Sequence, residues 1–222
     1  MIGNDTFWSP VKLSLEVASF SLFIVLIVGI VAAKFMANKS FKGKSVIETI
    51  MLLPLVLPPS VVGFLLIVIF GTRSFLGQVI EQLFSQSIIF TWWAAVISAV
   101  VVAFPLMYQS AKTGFETIDR DIEDASRVDG ANEFRVFTLI TLPLASNAII
   151  TGAILSFARA LGEFGATLMF AGNIPGKTQT IPTAIYVAMD SGNMKLAWSW
   201  VFVILFISFS MLILMNVIKK RY

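Results

Sequence analysis

Five long apolar stretches divide this chain, and charged residues stand between them. No Asp, Glu, Lys or Arg interrupts these stretches, which run from Val17 to Ala33, Thr49 to Thr72, Gln82 to Ala111, Val136 to Ala158 and Leu196 to Ile218. A helix needs about 20 mostly apolar residues to cross a bilayer. Helices are favoured over a barrel because the apolar positions are continuous rather than alternating. The pattern predicts an all-α integral membrane protein with five spanning helices, at about residues 11–36, 47–70, 88–108, 146–170 and 198–218.

Composition agrees with this pattern. Of the 222 residues, 57% are hydrophobic and 13% are charged, whereas about 25% of residues are charged in soluble domains. Asp5 and Glu16, not a basic segment, precede the first apolar stretch, so we expect it to remain as a helix rather than act as a signal peptide. The chain, residues 1–222, reads as one transmembrane domain. It has no Cys and no His, so we expect no metal site, no cofactor and no catalytic residue of its own.

The positions of Lys and Arg predict the orientation, because they are enriched beside the cytosolic ends of spans. Eleven lie at one side, namely Lys34, Lys39, Lys42, Lys44, Lys112, Arg120, Arg127, Arg135, Lys219, Lys220 and Arg221, and four lie at the other, namely Lys12, Arg73, Lys177 and Lys195. The N-terminus is therefore expected outside and the C-terminus in the cytosol. The net charge of +3 follows from this topology, so we expect membrane lipid and no nucleic acid as a partner.

A polar segment at residues 112–143 separates the third and fourth stretches. From Gly114 to Pro143 it holds seven acidic and three basic residues. Asp119 or Asp121 can cap a helix that runs through Val128, Gly130 can end it, and a second helix can follow from Ala131 through Phe137. The segment either transmits force as a rigid elbow or is a solvated helix pair that only connects two spans.

Three prolines, Pro54, Pro58 and Pro59, fall near the middle of the second predicted span. Each removes a hydrogen bond of the helix, so the helix must kink or break there. A discontinuous helix at this depth is typical of a gate or substrate path in transporters. The alternative is a kink that serves only packing.

Two charged residues lie inside the fourth predicted span. If this span enters the hydrocarbon near Ala148, Arg159 lies about 17 Å deep at the helical rise of 1.5 Å per residue. A charge at that depth should face protein or water. Glu163 is four residues on, the spacing at which side chains meet on one helix face. The pair could offer a transient anion site, with Glu163 limiting its affinity, or it could be a structural ion pair.

The polar segment resembles the EAA loop of ABC-importer permeases, E-A-A-x3-G-x9-I-x-L-P. Asp124 stands where Glu is usual, and Ser126 where the second Ala is usual. The resemblance implies a type I ABC-importer permease fold, a cytosolic coupling loop at 112–143 and an ATPase on a separate subunit. It assigns ATPase coupling to Glu123, Asp124, Ala125, Gly130, Ala131, Glu133, Ile140 and Pro143.

Two further segments resemble bacterial molybdate-transport permeases: Leu53–Pro59, and Arg159–Tyr186 with its Gly-Asn-Ile-Pro-Gly stretch. The Leu-Gly-Glu-Phe-Gly-Ala core at 161–166 is similar in sulfate permeases also. The resemblance implies import of molybdate across the bacterial cytoplasmic membrane. It implies a homodimer of this chain, a cytosolic ABC ATPase dimer and an extracytoplasmic molybdate-binding protein that delivers molybdate or tungstate. The pathway residues are then Pro54, Pro58, Pro59, Arg159 and Glu163.

Other classes fit less well. A sulfate, thiosulfate or other oxyanion permease would share the machinery and differ only in cargo. A secondary transporter or channel would need ion-coupling carboxylates, yet Glu163 is the only acid deep in the predicted spans. A membrane hydrolase would need an activated nucleophile. The glycine-rich segment 171–178 has three residues between its glycines where a P-loop has four, so we expect no nucleotide site here.

Overall fold

The computed structural model describes residues 4–37 and 39–219, and helices form the regular structure within them. In chain order the helices are α1 Asn4–Ala37, α2 Lys44–Val56, α3 Pro59–Phe70, α4 Phe75–Phe84, α5 Trp92–Glu116, α6 Arg120–Val128, α7 Glu133–Val136, α8 Leu142–Leu144, α9 Ser146–Leu161, α10 Gly165–Phe170, α11 Ile181–Asp190 and α12 Met194–Lys219. A π-helical turn, Phe137–Thr141, joins α7 to α8. Lys220 and Arg221, which we assigned to a cytosolic C-terminus, lie outside the described residues.

The described helices provide three to five candidate membrane spans. Three are long and apolar enough alone, at Phe7–Ala37, Trp92–Glu116 and Met194–Leu214. Two bent pairs of helices bring the number to five if each pair is one span. The chain bends by 118° between α2 and α3, and by 71° between Glu133–Leu144 and α9. The predicted all-α membrane fold class is confirmed.

Helices α1, α5 and α9 form the core, and small residues let their backbones approach closely. A Cβ added to Gly29 of α1 would lie 2.8 Å from Cγ of Met107 on α5. Ser156 of α9 donates a hydrogen bond of 3.1 Å to the carbonyl of Ala103 on α5. Close packing of small residues and hydrogen bonds between helices are what hold helices together in lipid, where the hydrophobic effect contributes little.

The two ends of the bundle differ in chemistry. At one end α11 and α12 pack on the first turns of α1, where Ser14 Oγ accepts from the Ile181 N–H at 2.7 Å and the Trp200 indole donates to the Phe7 carbonyl at 3.0 Å. At the other end Lys34 of α1 meets the polar segment between α5 and α9.

The fourth predicted span, 146–170, is not one helix. Helix α9 ends at Leu161, and α10 starts at Gly165 after a break at residues 162–164. The carboxylate of Glu163 accepts the N–H of Ala166 at 2.8 Å, so it satisfies a free donor in the first turn of α10. Two glycines, Gly162 and Gly165, flank Glu163 and ease the break.

The predicted loop 112–143 begins within helix α5 and contains helices of its own. Helix α5 continues to Glu116, so its first five residues are helical. At the other end helical structure resumes at Glu133 and extends to Leu144. We refer to residues 119–144 as the hairpin.

Candidate functional site

The hairpin turns at Gly130. Asp119 caps α6 by accepting the N–H of Asp121 at 3.0 Å. Gly130 has φ +90°, a left-handed conformation that favours glycine, and the Ala131 N–H returns to the carbonyl of Ser126 at 3.0 Å. The predicted helix, glycine elbow and second helix are confirmed. The second helix starts at Glu133 rather than Ala131, because Asn132 is its N-cap and accepts the Arg135 N–H.

Arg127 joins the two arms of the hairpin, and the sequence analysis did not select it. Its Nε and Nη2 donate to the two carboxylate oxygens of Glu133 on α7, at 2.7 and 3.2 Å. Its Nη1 donates to Asp124 at 2.6 Å. A bidentate arginine–carboxylate pair fixes orientation as well as distance. These bonds hold the elbow as one body and raise the pKa of the Arg127 guanidinium.

Most predicted coupling residues lie on the outer surface of the hairpin. Asp124, Ala125, Gly130, Glu133 and Pro143 are exposed, and Ala131 and Ile140 are partly buried. Large apolar side chains that the sequence analysis did not select stand beside them. Val128 is 87% exposed, Phe134 75% and Leu139 71%. An apolar tip with acidic residues around it is typical of a surface that another protein covers.

Glu123 differs from the other predicted coupling residues because it points inward. It is only 7% exposed. Lys34 of α1 donates to its Oε1 at 2.8 Å, and Thr141 of the π turn donates to the same oxygen at 2.6 Å. The structure therefore separates Glu123 from the outer surface of the hairpin.

The second predicted span breaks at its prolines. Helix α2 ends at Val56, Leu57 and Pro58 are extended, and Pro59 is the first residue of α3. Pro54 lies inside α2, whereas Pro58 and Pro59 are exposed at the break. The predicted kink or break is confirmed. The direction of the chain changes by 118° between α2 and α3.

Arg159 and Glu163 form the predicted ion pair, but not on one continuous helix. Arg159 lies in the last turn of α9, and Glu163 lies in the break that follows. Nη1 of Arg159 donates to Oε2 of Glu163 at 2.6 Å. The Glu163 side chain is 1% exposed and that of Arg159 is 30% exposed. The carboxylate is thus enclosed by protein contacts, while part of the guanidinium remains accessible.

The two helix breaks lie against each other. A Cβ on Gly165, the first residue of α10, would approach Cβ of Pro59 to 2.9 Å. One turn further along α3, a Cβ on Gly63 would come within 3.0 Å of the Ala166 Cα. The proline break and the Arg159–Glu163 segment are therefore parts of one site.

A polar groove of about 560 Å³ lies between the hairpin-proximal ends of α5 and α9. Its lining residues are Gln109, Ser110, Thr113, Asn147, Ala148 and Thr151. This groove was not predicted from the sequence. The signal was the i,i+4 spacing of Gln109 with Thr113 and of Asn147 with Thr151, which places each polar pair on one helix face.

A second ionic contact connects α2 to α5 near the same end. Glu48 of α2 accepts from Lys112 Nζ at 2.6 Å and from the Tyr108 hydroxyl at 3.1 Å. Lys44 lies 3.9 Å from the same carboxylate oxygen. The sequence analysis did not select these residues, since nothing local to either stretch indicates that they meet.

Across the described parts of the chain, no group of three or more acidic side chains is placed to hold a metal ion. The chemistry of the site is therefore that of hydrogen-bond donors, one accessible guanidinium and two broken helices. Such a site can bind and release an anion.

Comparison with known proteins places this arrangement in a family. Residues 25–222 match the family described as "Binding-protein-dependent transport system inner membrane component". The permease protein YvgM of Bacillus subtilis (strain 168) is 63% identical over 211 residues, which cover 95% of this chain and 93% of the relative. The molybdenum transport system permease protein ModB of Escherichia coli (strain K12) is 44% identical over 191 residues, 86% of this chain and 83% of the relative. The sulfate transport system permease protein CysW of Synechococcus elongatus is 30% identical, over 99% of this chain and 77% of the relative.

Solved structures show the same fold. A bacterial ABC transporter that imports alginate contains a chain with a TM-score of 0.75 at 16% identity, covering 97% of this chain and 79% of that one. The inward-facing MetNI methionine ABC transporter gives a TM-score of 0.74 at 15% identity, covering 97% and 95%. The predicted type I ABC-importer permease fold is confirmed. With a family match over 198 residues (25–222) and near relatives along most of its length, this chain belongs to the inner membrane components of binding-protein-dependent transport systems.

Proposed function

We propose that this chain is the membrane permease of an ATP-driven importer whose cargo is molybdate. The observation that carries the proposal is the similarity along most of the chain to a molybdenum permease, at 44% identity. A sulfate permease is the second candidate, because CysW aligns over nearly the whole chain, although at only 30% identity. As a permease subunit the chain contributes no ATPase site, so ATP is hydrolysed on a separate subunit.

The working unit would be a homodimer with two copies of a cytosolic ATPase and an extracytoplasmic binding protein. The N-terminus would lie outside and the C-terminus in the cytosol. Support for this orientation comes from the end of the bundle that carries Lys34, Lys112 and the hairpin, since a cluster of basic residues is expected on the cytosolic side. Molybdate is a dianion, and a twofold axis would bring two accessible Arg159 guanidinium groups into the same assembly.

The hairpin would be the contact with the ATPase. Its exposed Asp124 and Glu133 are held by Arg127, and the apolar tip around Val128 and Phe134 is free to enter a cleft of the partner. Because Arg127 joins both arms, a displacement of the ATPase would move the hairpin as one body. Closing the ATPase dimer around ATP would then shift the equilibrium between inward and outward openings.

The pathway would run past the two stacked helix breaks and leave through the polar groove. Pro54 lies in the last turn of α2, Pro58 and Pro59 mark the break that follows it, and Arg159 with Glu163 marks the other break. Arg159 would attract the oxyanion. Glu163, enclosed and already paired, would keep that attraction weak enough for release.

Neutralising Arg159 tests this pathway. We expect Arg159→Gln to lower molybdate uptake by about tenfold to a hundredfold, the equivalent of one charge-assisted hydrogen bond of about 1.5–3 kcal/mol. Arg159→Lys should retain much of the uptake because it keeps the charge. The measurement is the initial rate of uptake into vesicles that contain the assembled complex.

A double variant separates a pathway role from a structural ion pair. Arg159→Gln alone leaves Glu163 buried and without its charge partner, which can cost stability by itself. Arg159→Gln with Glu163→Gln removes both charges, so assembly should recover while uptake stays low. Recovery of uptake together with assembly would mean that the pair is structural only.

The groove gives a milder prediction. Asn147→Leu with Thr151→Val should lower uptake several-fold, because an anion that sheds water there needs neutral hydrogen-bond donors. Ser210→Ala is the control, since Ser210 bonds a carbonyl of its own helix just as Thr151 does but lies on α12. Equal effects of the groove variant and the control would argue against a pathway at this groove.

The cargo is tested by competition. In vesicles that carry the complete complex, excess tungstate should block uptake of labelled molybdate, whereas the same excess of sulfate should not. If sulfate blocks uptake and labelled sulfate is itself taken up with ATP, the proposed transport mechanism would hold but the cargo would be sulfate.

A further inference from the structure

Glu123 is the single buried carboxylate in the described part of the hairpin, and it faces the membrane helices rather than the hairpin surface. Its Oε1 accepts from Lys34 at 2.8 Å and from Thr141 at 2.6 Å, and its Oε2 lies 3.4 Å from Arg127 Nη2. Its neighbour Asp124, whose side chain is 67% exposed, lies at the outer surface, although Arg127 contacts both carboxylates. The two adjacent acids therefore differ in burial, and Glu123 is the one that contacts α1.

The Lys34 contact brings a distant part of the chain to the hairpin. Lys34 lies in the last turn of α1, 89 residues before Glu123. Its ammonium also lies 5.8 Å from the ring centroid of Phe115 on α5, within the range of a cation–π contact. One ammonium group thus touches both the hairpin and α5, next to the end of α1.

The π turn directs the Thr141 hydroxyl toward the carboxylate of Glu123. Thr141 is fully buried and is the last residue of the turn Phe137–Thr141. A π turn contains an extra residue per turn, and one residue of an α-helix corresponds to about 100° of rotation. In an uninterrupted α-helix the Thr141 side chain would be rotated by about 100° from the direction in which it meets Glu123. Turns of this kind are often found at functional sites.

The charge on Glu123 persists at physiological pH. Burial alone would raise its pKa, but the hydrogen bonds from Lys34 and Thr141 and the Lys34 charge outweigh burial, so the pKa of Glu123 lies below its usual value. A lowered carboxyl pKa means that the contact is present at neutral pH and is lost only in acid, as pH falls through that pKa. The Lys34–Glu123 ion pair is therefore formed at neutral pH.

We propose that Glu123 is a positioning residue that ties the hairpin to α1, so that a displacement of the hairpin by the ATPase moves the end of α1 with it. This inference rests on the proposed function of the hairpin. It adds the contact through which movement of the hairpin would be transmitted to the membrane helices. The two chain-neighbours of the hairpin, α5 and α9, are joined to it covalently. Helix α1 packs along both of them in the core, and the Lys34–Glu123 ion pair connects it directly to the hairpin. In this role Glu123 does not touch the ATPase.

The test compares ATP consumption with transport in the complete complex. Glu123→Gln and Lys34→Met should each retain ATPase binding and ATP hydrolysis, whereas the number of ATP molecules hydrolysed per molybdate imported should rise about tenfold. Lys34→Arg should keep the number of ATP molecules hydrolysed per molybdate close to that of the unmodified complex, because it keeps the charge and the hydrogen-bond donors. Glu16→Gln is the matched control, since it breaks an exposed ion pair at the other end of α1.

A covalent cross-link between positions 34 and 123 distinguishes loss of this contact from poor folding of the variants. The chain has no cysteine, so Lys34→Cys with Glu123→Cys introduces a unique thiol pair within each copy. The double variant should be uncoupled until a short bis-maleimide bridges the two thiols, and should then recover a low ATP-to-molybdate ratio.

Two results would overturn the proposal. An unchanged ratio in Glu123→Gln would show that the link transmits nothing, and loss of ATPase binding in Glu123→Gln would place this residue in the contact with the ATPase. Failure of the proposed function is distinguishable, because the unmodified complex would then show no ATP-dependent molybdate uptake at all.

Discussion

Replacing Gly130 by valine should release the ATPase from this permease. Gly130 has φ +90° and nothing within 4 Å of an added Cβ, so the substitution introduces no clash with neighbours. It forces a β-branched residue into a left-handed conformation, at a cost of at least about 1–2 kcal/mol. The elbow can avoid that cost by changing its turn, which moves the apolar tip around Val128 and Phe134 relative to Asp124. We expect recovery of the ATPase with the purified permease to fall at least about tenfold, and uptake to fall with it.

Gly43 provides a matched control for this experiment. It has φ +91° and open space around an added Cβ, and it lies in the turn between α1 and α2. Gly43→Val therefore applies the same conformational strain outside the hairpin and should leave ATPase binding intact. Similar losses in both variants would point to general destabilisation, and retention of the ATPase by Gly130→Val would show that the shape of the elbow is not required for binding.

Gly165→Val should stop transport while the complex still forms. An added Cβ at this position meets the Pro59 Cβ at 2.9 Å and the Ser60 nitrogen at 3.4 Å. Two helix breaks abut here, so a branched side chain forces α3 and α10 apart, and overpacking of this kind costs about 1–3 kcal/mol. We expect uptake to fall by more than about tenfold, with a smaller loss for Gly165→Ala, and binding of the ATPase to remain because the hairpin lies at the far end of α9.

The control for Gly165 lies three residues away. A Cβ on Gly162 would lie 3.5 Å from the Ala158 carbonyl, an ordinary contact, so Gly162→Ala should be tolerated. If Gly165→Val transports as well as Gly162→Ala, the contact between the breaks is not part of the pathway. If both variants fail, the break of the fourth span needs the flexibility of glycine rather than the space.

Local patterns in the sequence were sufficient to predict the features that depend on neighbours along the chain. Pro54 is accommodated inside α2, but the adjacent Pro58 and Pro59 end this helix, so the break between α2 and α3 follows from residues 54–59 alone. Gly130 between two capped segments likewise predicted the elbow. The break at Glu163 was not predicted, although Gly162 and Gly165 flank it, because the capping of Ala166 by this carboxylate is seen only in the structure.

Features that depend on packing between distant stretches could not be read from the sequence. The resemblance grouped Glu123 with Asp124 as coupling residues, but the position of Lys34 and the extra residue of the π turn decide that Glu123 faces inward. The contact between Glu48 and Lys112 joins residues 64 positions apart and needs the packing of α2 on α5. The polar groove likewise exists only because α5 and α9 lie side by side.

The most direct test of the central claim is ATP-dependent molybdate uptake by sealed proteoliposomes that hold this chain with its ATPase, the binding protein being added outside. Labelled molybdate should accumulate only when ATP is trapped inside, should not accumulate with a non-hydrolysable ATP analogue, and should be unaffected by a protonophore. Accumulation without ATP, or its collapse on addition of the protonophore, would contradict the account and identify a secondary transporter instead.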